Sequence, residues 1–294
     1  MKILSRLKVA LVHYDNPRQF DRAVGFWSYA VPEFEVTHFG IGRDSSVRRS
    51  EYKSMGFDLI FREDHKCFGR LKRDAVIPAI YYIVDSPASK DHYKIRLRTA
   101  PQHDLLLIEQ DKLSRFQHLN IPTRRLGYCV NDEFFKDYEL EKDVDICFHA
   151  RPIDQRRKDM HQWLTEFCSQ QGYKYMGGKR SKLDYPYSFN RAKISVNTIY
   201  NSSCRNHRVF DVMASRSCLV TDTLPMVSGE KREPGEHYVE FGNWEQLADV
   251  LTTLMANGKW REIADRSYEL VRQYHTWATR AQELRQIIFE EFKI

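Results

Sequence analysis

Arg205, Arg208 and Asp211, in the stretch RNHRVFDVMASRSCLVTD (residues 205–222), recur at three-residue spacing. A helix over 205–215 would place them on one face, with Val209, Phe210 and Met213 turned toward a core. Guanidiniums at a helix start favour an anion, because free backbone N–H groups and the helix dipole add to the fixed charge. Arginine also grips a phosphate through two parallel hydrogen bonds. A carboxylate one turn along can accept from the two hydroxyls of a ribose. The same spacing describes a solvated face with an Arg–Asp pair, and the pattern alone leaves both readings open.

Other strand ends carry similar chemistry. In FHARPIDQRR, Arg151 directly follows an apolar run, and Arg156 and Arg157 open the next helical stretch. In YKYMGGK, Gly177 and Gly178 permit close backbone approach to a ligand, and Lys179 follows. Asn197, Asn201, Ser202 and Ser203 form a polar strand end. In the first half, HYDNPR sets His13, Tyr14 and Asp15 after the first apolar run, VDSP sets Asp85 after another, and His92 lies nearby. Asp15 or Asp85 is placed to act as a base toward an acceptor hydroxyl. Asp85 before Ser-Pro is equally a turn former.

The elements that must position these residues alternate. Apolar runs at 7–14, 34–41, 57–61, 79–85, 103–109 and 123–128 read as strands, with helical stretches at 21–31 and 110–119. A polar, acidic passage over 128–143 reads as a linker. A second series follows: strands at 144–150, 173–178, 193–200, 218–222 and 237–243, with helices at 154–172 and 185–192 and over the stretch at 205–215. Asn243 is a good N-cap for the helix that begins at Trp244, and a long helical tail covers 259–292. Short apolar runs alternating with helices imply parallel sheets covered on both faces. Two doubly wound α/β domains in series fit, over residues 1–142 and 143–294, with the ligand at the carboxyl ends of the strands in a cleft between them.

Composition narrows the class. With 294 residues, 42% hydrophobic and 13% aromatic, the chain can build ordinary cores. The net charge of +6 agrees with an anionic partner or with a plain soluble surface. The six cysteines include no CxxC pair, and they read as reduced thiols of a cytoplasmic protein. No apolar run approaches a membrane span. No GxxxxGK[ST], HExxH, GxSxG or strand-one GxGxxG is present, which argues against a P-loop kinase, a zinc peptidase, an α/β-hydrolase and a nicotinamide dehydrogenase.

Taken in order, the arginines after the strand at 144–150, MGG, YPYSFNRAKISVNTIYNSS, RNHRVFDVMASRSCLVTDTLP, GEHYVEFGNWEQLADVL and YHTWATRAQEL resemble the nucleotide-sugar glycosyltransferases of GT-B fold. The nearest group is the CgeB-like, spore-maturation type. Its R-x-F-E helix corresponds to Arg208–Asp211, its A-x-G strand entry to MASRSCLVTD, and its H-T-[YW]-x-x-R segment to His275–Arg280. The resemblance covers residues 144–290 well and the first half more loosely, through VDSP and VGFWSYAV.

The resemblance implies two Rossmann-like domains facing across a cleft, with the last helix crossing back to the N-terminal domain. The C-terminal domain would bind a nucleotide diphosphate-sugar as cosubstrate. Arg151 and Arg157 would hold the diphosphate, Arg208 would lie near it, and Asp211 would grip the ribose. Arg156, Gly178, Lys179 and Asn197 complete the donor side. His13, Tyr14, Asp15 and His92 form the acceptor side, and Asp85, Asp15 and Arg157 are the catalytic candidates. Neither a metal nor another cofactor is implied. The acceptor is a hydroxyl group on a modified base of DNA or RNA, on a glycan or on a protein. Three positions depart from the family pattern: Asp211 replaces glutamate, Arg216 replaces glycine, and Ser203 stands where many retaining relatives have an acid. A catalytically silent nucleotide- or nucleic-acid-binding module and a sugar-nucleotide epimerase are the alternative readings.

Overall fold

The apolar runs of the first half form a parallel sheet. The computed structural model describes residues 6–14, 32–41, 46–63, 70–83, 90–109, 113–150, 154–178, 184–199, 207–225 and 230–293. The chain divides into two units, Met1–Tyr128 with Trp277–Ile294, and Cys129–Thr276.

The first unit contains β1 (Leu7–Tyr14), β2 (Phe34–Ile41), β3 (Val47–Arg48), α1 (Arg49–Ser54), β4 (Leu59–Glu63), β5 (Leu71–Lys72), β6 (Ala79–Ile83), α2 (Lys90–Thr99), β7 (Leu105–Ile108) and β8 (Thr123–Arg125). Six strands pair in the order β2-β1-β4-β6-β7-β8, every pair parallel, and β3 and β5 form a small ribbon of their own. Strands β4, β6 and β7 are buried at every position, as strands covered on both faces must be. Alternate residues feed separate cores: Ala10, Val12 and Ile60 pack with Tyr52 and Leu71, while Tyr81, Ile83 and Leu106 pack with Phe116. Arg49 ties α1 down by donating to the carbonyls of Ile77 (2.9 Å) and Gln102 (2.6 Å) and to the Asp104 carboxylate (2.7 Å).

The second unit contains β9 (Val144–Phe148), α3 (Gln155–Gln171), β10 (Tyr175–Gly177), α4 (Tyr185–Arg191), β11 (Ala192–Asn197), α5 (Arg208–Ala214), β12 (Cys218–Asp222), β13 (Val239–Phe241), α6 (Trp244–Asn257) and α7 (Trp260–Tyr274). Its five strands run parallel in the order β10-β9-β11-β12-β13. Asp154 caps α3 by accepting from the Arg157 N–H at 2.9 Å, and Asn243 caps α6 through the Gln246 N–H at 2.9 Å. Both helices end on glycines in the left-handed region, Gly172 and Gly258.

A last helix, α8 (Trp277–Phe292), belongs to the first unit. Arg280 donates to the Tyr128 carbonyl at 3.0 Å, and Arg285 bonds Glu33 at 2.8 Å.

Several elements differ from the sequence expectation. The tail over 259–292 is two helices, α7 and α8, because Val130 N–H takes the His275 carbonyl (2.8 Å) and bridges to Thr276. Of the helix expected over 110–119, the described residues 113–119 give two short 3-10 turns, Leu113–Arg115 and Gln117–Leu119. Helices α1 and α2 lie where the sequence showed only basic, weakly periodic segments. The helix expected over 205–215 starts at Arg208, and Arg205 lies outside the described residues, as does the helix expected over 21–31. Cys129, Cys147, Cys168 and Cys218 are buried. No helix among the described residues is long and apolar enough to cross a membrane.

Candidate functional site

In the second unit the strand order reverses direction between β9 and β11, and open α/β sheets bind their ligands outside the carboxyl ends of the strands at such a reversal. Three of the expected donor residues meet there. Asn197, the last residue of β11, is fully buried and accepts from the Arg208 guanidinium at 2.8 Å through Oδ1. Its amide nitrogen donates to the Thr221 hydroxyl of β12 at 3.0 Å, so the amide is fixed on both sides. Arg157 enters from the first turn of α3, is itself buried, and pairs with Asp154 at 3.5 Å.

Arg208 as a residue keeps part of its surface, while its guanidinium end is enclosed. Burial pushes that guanidinium down to about 10, and the neighbouring Arg157 cation adds to the effect. Tyr185 and Asp211 work in the opposite direction. Two guanidiniums thus stand together at one strand edge, with Asp211 one helical turn from Arg208.

Arg156 turns elsewhere. Its guanidinium bonds the Asp222 carboxylate at the end of β12, and the other Asp222 oxygen accepts from the Ile199 N–H at 2.8 Å. This clasp joins the exits of β11 and β12 to the start of α3. Gly178 follows β10 with φ +99°, and a Cβ built there would meet open space. Its carbonyl lies 3.3 Å from Nδ1 of His149, which is buried and stacked on the Tyr185 ring at 5.4 Å.

Behind the site, His161 bridges Tyr175 Oη (3.1 Å) and the Ala150 carbonyl (3.1 Å). A Cβ on Gly177 would lie 2.2 Å from that same Tyr175 oxygen, so this glycine leaves the hydroxyl its place.

Arg151, Lys179, Asp15 and Asp85 lie outside the described residues. His13 and Tyr14 end β1, and His92 is in the first turn of α2. Sequence reading missed Asp222, His149 and Tyr185, although all three stand in stretches quoted for other residues. It also missed two buried acids of the first sheet, Glu63 at the end of β4 and Glu109 directly after β7, on either side of β6. Both are continuous with apolar runs, where strand-end acids were not sought.

Comparison with known proteins bears on this geometry. Residues 141–286 match a family described as glycosyl transferase-like. The fold of the whole chain matches solved GT-B enzymes: sucrose-phosphate synthase from Thermosynechococcus elongatus aligns with TM-score 0.67 at 12% identity, over 98% of this chain and 100% of that one. The chain thus shares the fold of GT-B glycosyltransferases. HepE from Anabaena, solved in complex with UDP, aligns with TM-score 0.68 at 12% identity, over 96% of this chain and 100% of that one. A glycosyltransferase from Rickettsia africae aligns with TM-score 0.62 at 9% identity, over 98% of this chain and 99% of that one. No curated protein matches by sequence.

The remaining motif residues of the second unit have structural partners. His275 is buried and stacks on Phe210 of α5 with ring centroids 4.3 Å apart. Arg216, the replacement for glycine, adopts φ +53°. Its guanidinium bonds Asp265 at 2.6 Å and Asp137 at 3.0 Å.

Proposed function

We propose that the chain transfers a sugar from a nucleotide diphosphate-sugar to a hydroxyl acceptor, and that the carboxyl edge of the second sheet holds the donor. The observation that carries this reading is the pairing of Arg157 and Arg208. Two enclosed guanidiniums side by side raise each other's energy, and a diphosphate between them lowers both. The start of α3 adds its dipole to the same anion. Asp211 takes the ribose hydroxyls, Asn197 aims Arg208, and Arg151 and Lys179 join the phosphate contacts.

As the sugar–phosphate bond breaks, negative charge grows on the leaving diphosphate. Fixed cations stabilise that charge without reorganising, and they fill the role that a divalent cation fills in other transferases. Asp85 or Asp15 takes the proton from the attacking acceptor hydroxyl. The order of motifs over residues 144–290 supports a likeness to the CgeB-like group, and the buried thiols support a cytoplasmic protein. A modified nucleic-acid base among the acceptors would reveal itself by steeply salt-dependent binding.

A thermal-shift screen of nucleoside diphosphates and their sugars tests the donor site. Uridine compounds come first, since a GT-B protein of the same fold was solved with UDP. A nucleotide at a hundred times its dissociation constant adds about 2.7 kcal/mol and raises the melting point by a few degrees. The shift is expected for one base and lost in Asp211→Ala. No shift with any nucleotide overturns the donor site.

A further inference from the structure

Arg156 stands next to Arg157 in the first turn of α3, yet its guanidinium is committed to the Asp222 carboxylate. Asp222 ends β12, one residue beyond Thr221, whose hydroxyl accepts from the Asn197 amide that in turn aims Arg208. The acid therefore lies between the supports of the two donor-side cations. Its side chain is 9% exposed, whereas that of Arg156 is 52% exposed, so the carboxylate sits inside the protein and its cation reaches it from the surface. Among the described residues its partners are this guanidinium and the Ile199 N–H, the latter at 2.8 Å.

We propose that Arg156 is a positioning residue that serves the donor indirectly: it neutralises Asp222 and so keeps a buried carboxylate from repelling the diphosphate. The proposal rests on the reading of this edge as the diphosphate site.

The carboxylate has its own task at this edge. Its two oxygens tie the chain leaving β11 to the end of β12 and the start of α3, and an ionised acceptor holds such bonds more strongly than a neutral one. A buried charge also acts at a distance, because the protein interior weakens it less than water does and salt screens it little. Paired with Arg156, it presents no net charge to an incoming anion. Loss of Arg156 alone leaves the acid buried and uncompensated. Asparagine at 222 keeps an oxygen for the Ile199 N–H and removes the charge. The defect caused by losing the cation is therefore repaired by a second substitution at the acid. A direct phosphate ligand at Arg156 would not be restored in this way, and a clasp needed only for shape would be harmed further.

The test measures UDP and uridine binding to the full chain by isothermal titration, in wild type, Arg156→Ala, Asp222→Asn and the double variant. Arg156→Ala is expected to weaken UDP at least about tenfold and to leave uridine, which carries no phosphate, within about twofold. Asp222→Asn is expected to bind UDP no more weakly than wild type, and the double variant to return within about threefold of it. A double variant as weak as Arg156→Ala, or an equal loss of uridine and UDP, overturns the proposal while the donor site stands. Wild type that responds to no nucleoside diphosphate in the melting-point screen overturns the donor site and this role of Arg156 with it.

Discussion

Asn197 shows how one neutral side chain can set the geometry of a charged one. Its amide bonds both Thr221 and Arg208, so truncation removes the fixed acceptor that aims the guanidinium. Asn197→Ala is expected to weaken binding of a nucleotide diphosphate by about 1.5–3 kcal/mol, the range for a hydrogen bond to a charged group. Isothermal titration with the nucleotide that shifts the wild-type melting point measures this directly.

His103 gives a second residue-level expectation. Burial, reinforced by Arg62 and Arg49, holds its imidazole well below the ordinary 6.5. Below pH about 6.5 the unfolded chain takes up a proton that the folded chain refuses, so stability falls as pH falls through that value. Urea unfolding between pH 7.5 and 5 should therefore show a steeper loss in the wild type than in His103→Gln. Parallel profiles would mean that His103 is protonated in the fold.

Among the elements, the turn between α5 and β12 separates backbone from side-chain effects. Arg216 occupies the left-handed region, which explains why a glycine suits that position in the resembling family. Arg216→Ala and Arg216→Gly both lose the ion pairs to Asp137 and Asp265, but only glycine adopts φ +53° without strain. Chemical denaturation should find the alanine variant less stable than the glycine variant by about 1 kcal/mol. The reverse order would show that this turn relaxes at no cost.

The elements also show how far sequence carries. Buried parallel strands such as LLLI and AIYYI were legible as short apolar runs, and the cap Asn243 stood at its expected place. The break between α7 and α8 was hidden, because helical periodicity continues through His275. What ends the helix is a hydrogen bond from Val130, distant in sequence. The cations Arg156 and Arg157 were legible because they open the helix that follows a strand. That one bonds Asp222 while the other sits beside Arg208 depends on contacts between elements, which spacing does not encode.

At the scale of the molecule, two parallel sheets each reverse strand order once, the kind of place where open α/β sheets bind ligands at the carboxyl strand ends. The carboxyl strand ends of the second sheet carry Arg157 and Arg208, while those of the first carry the buried acids Glu63, at the end of β4, and Glu109, after β7. The whole account rests on the cations meeting a leaving diphosphate. The measurement that tests it most directly is steady-state release of nucleoside diphosphate from its sugar conjugate, comparing wild type with Arg157→Ala. The account predicts a fall in kcat of about 10²–10³, the cost of removing one fixed donor to developing negative charge. Release by Arg157→Ala at the wild-type rate would contradict it and take this edge of the sheet out of the chemistry.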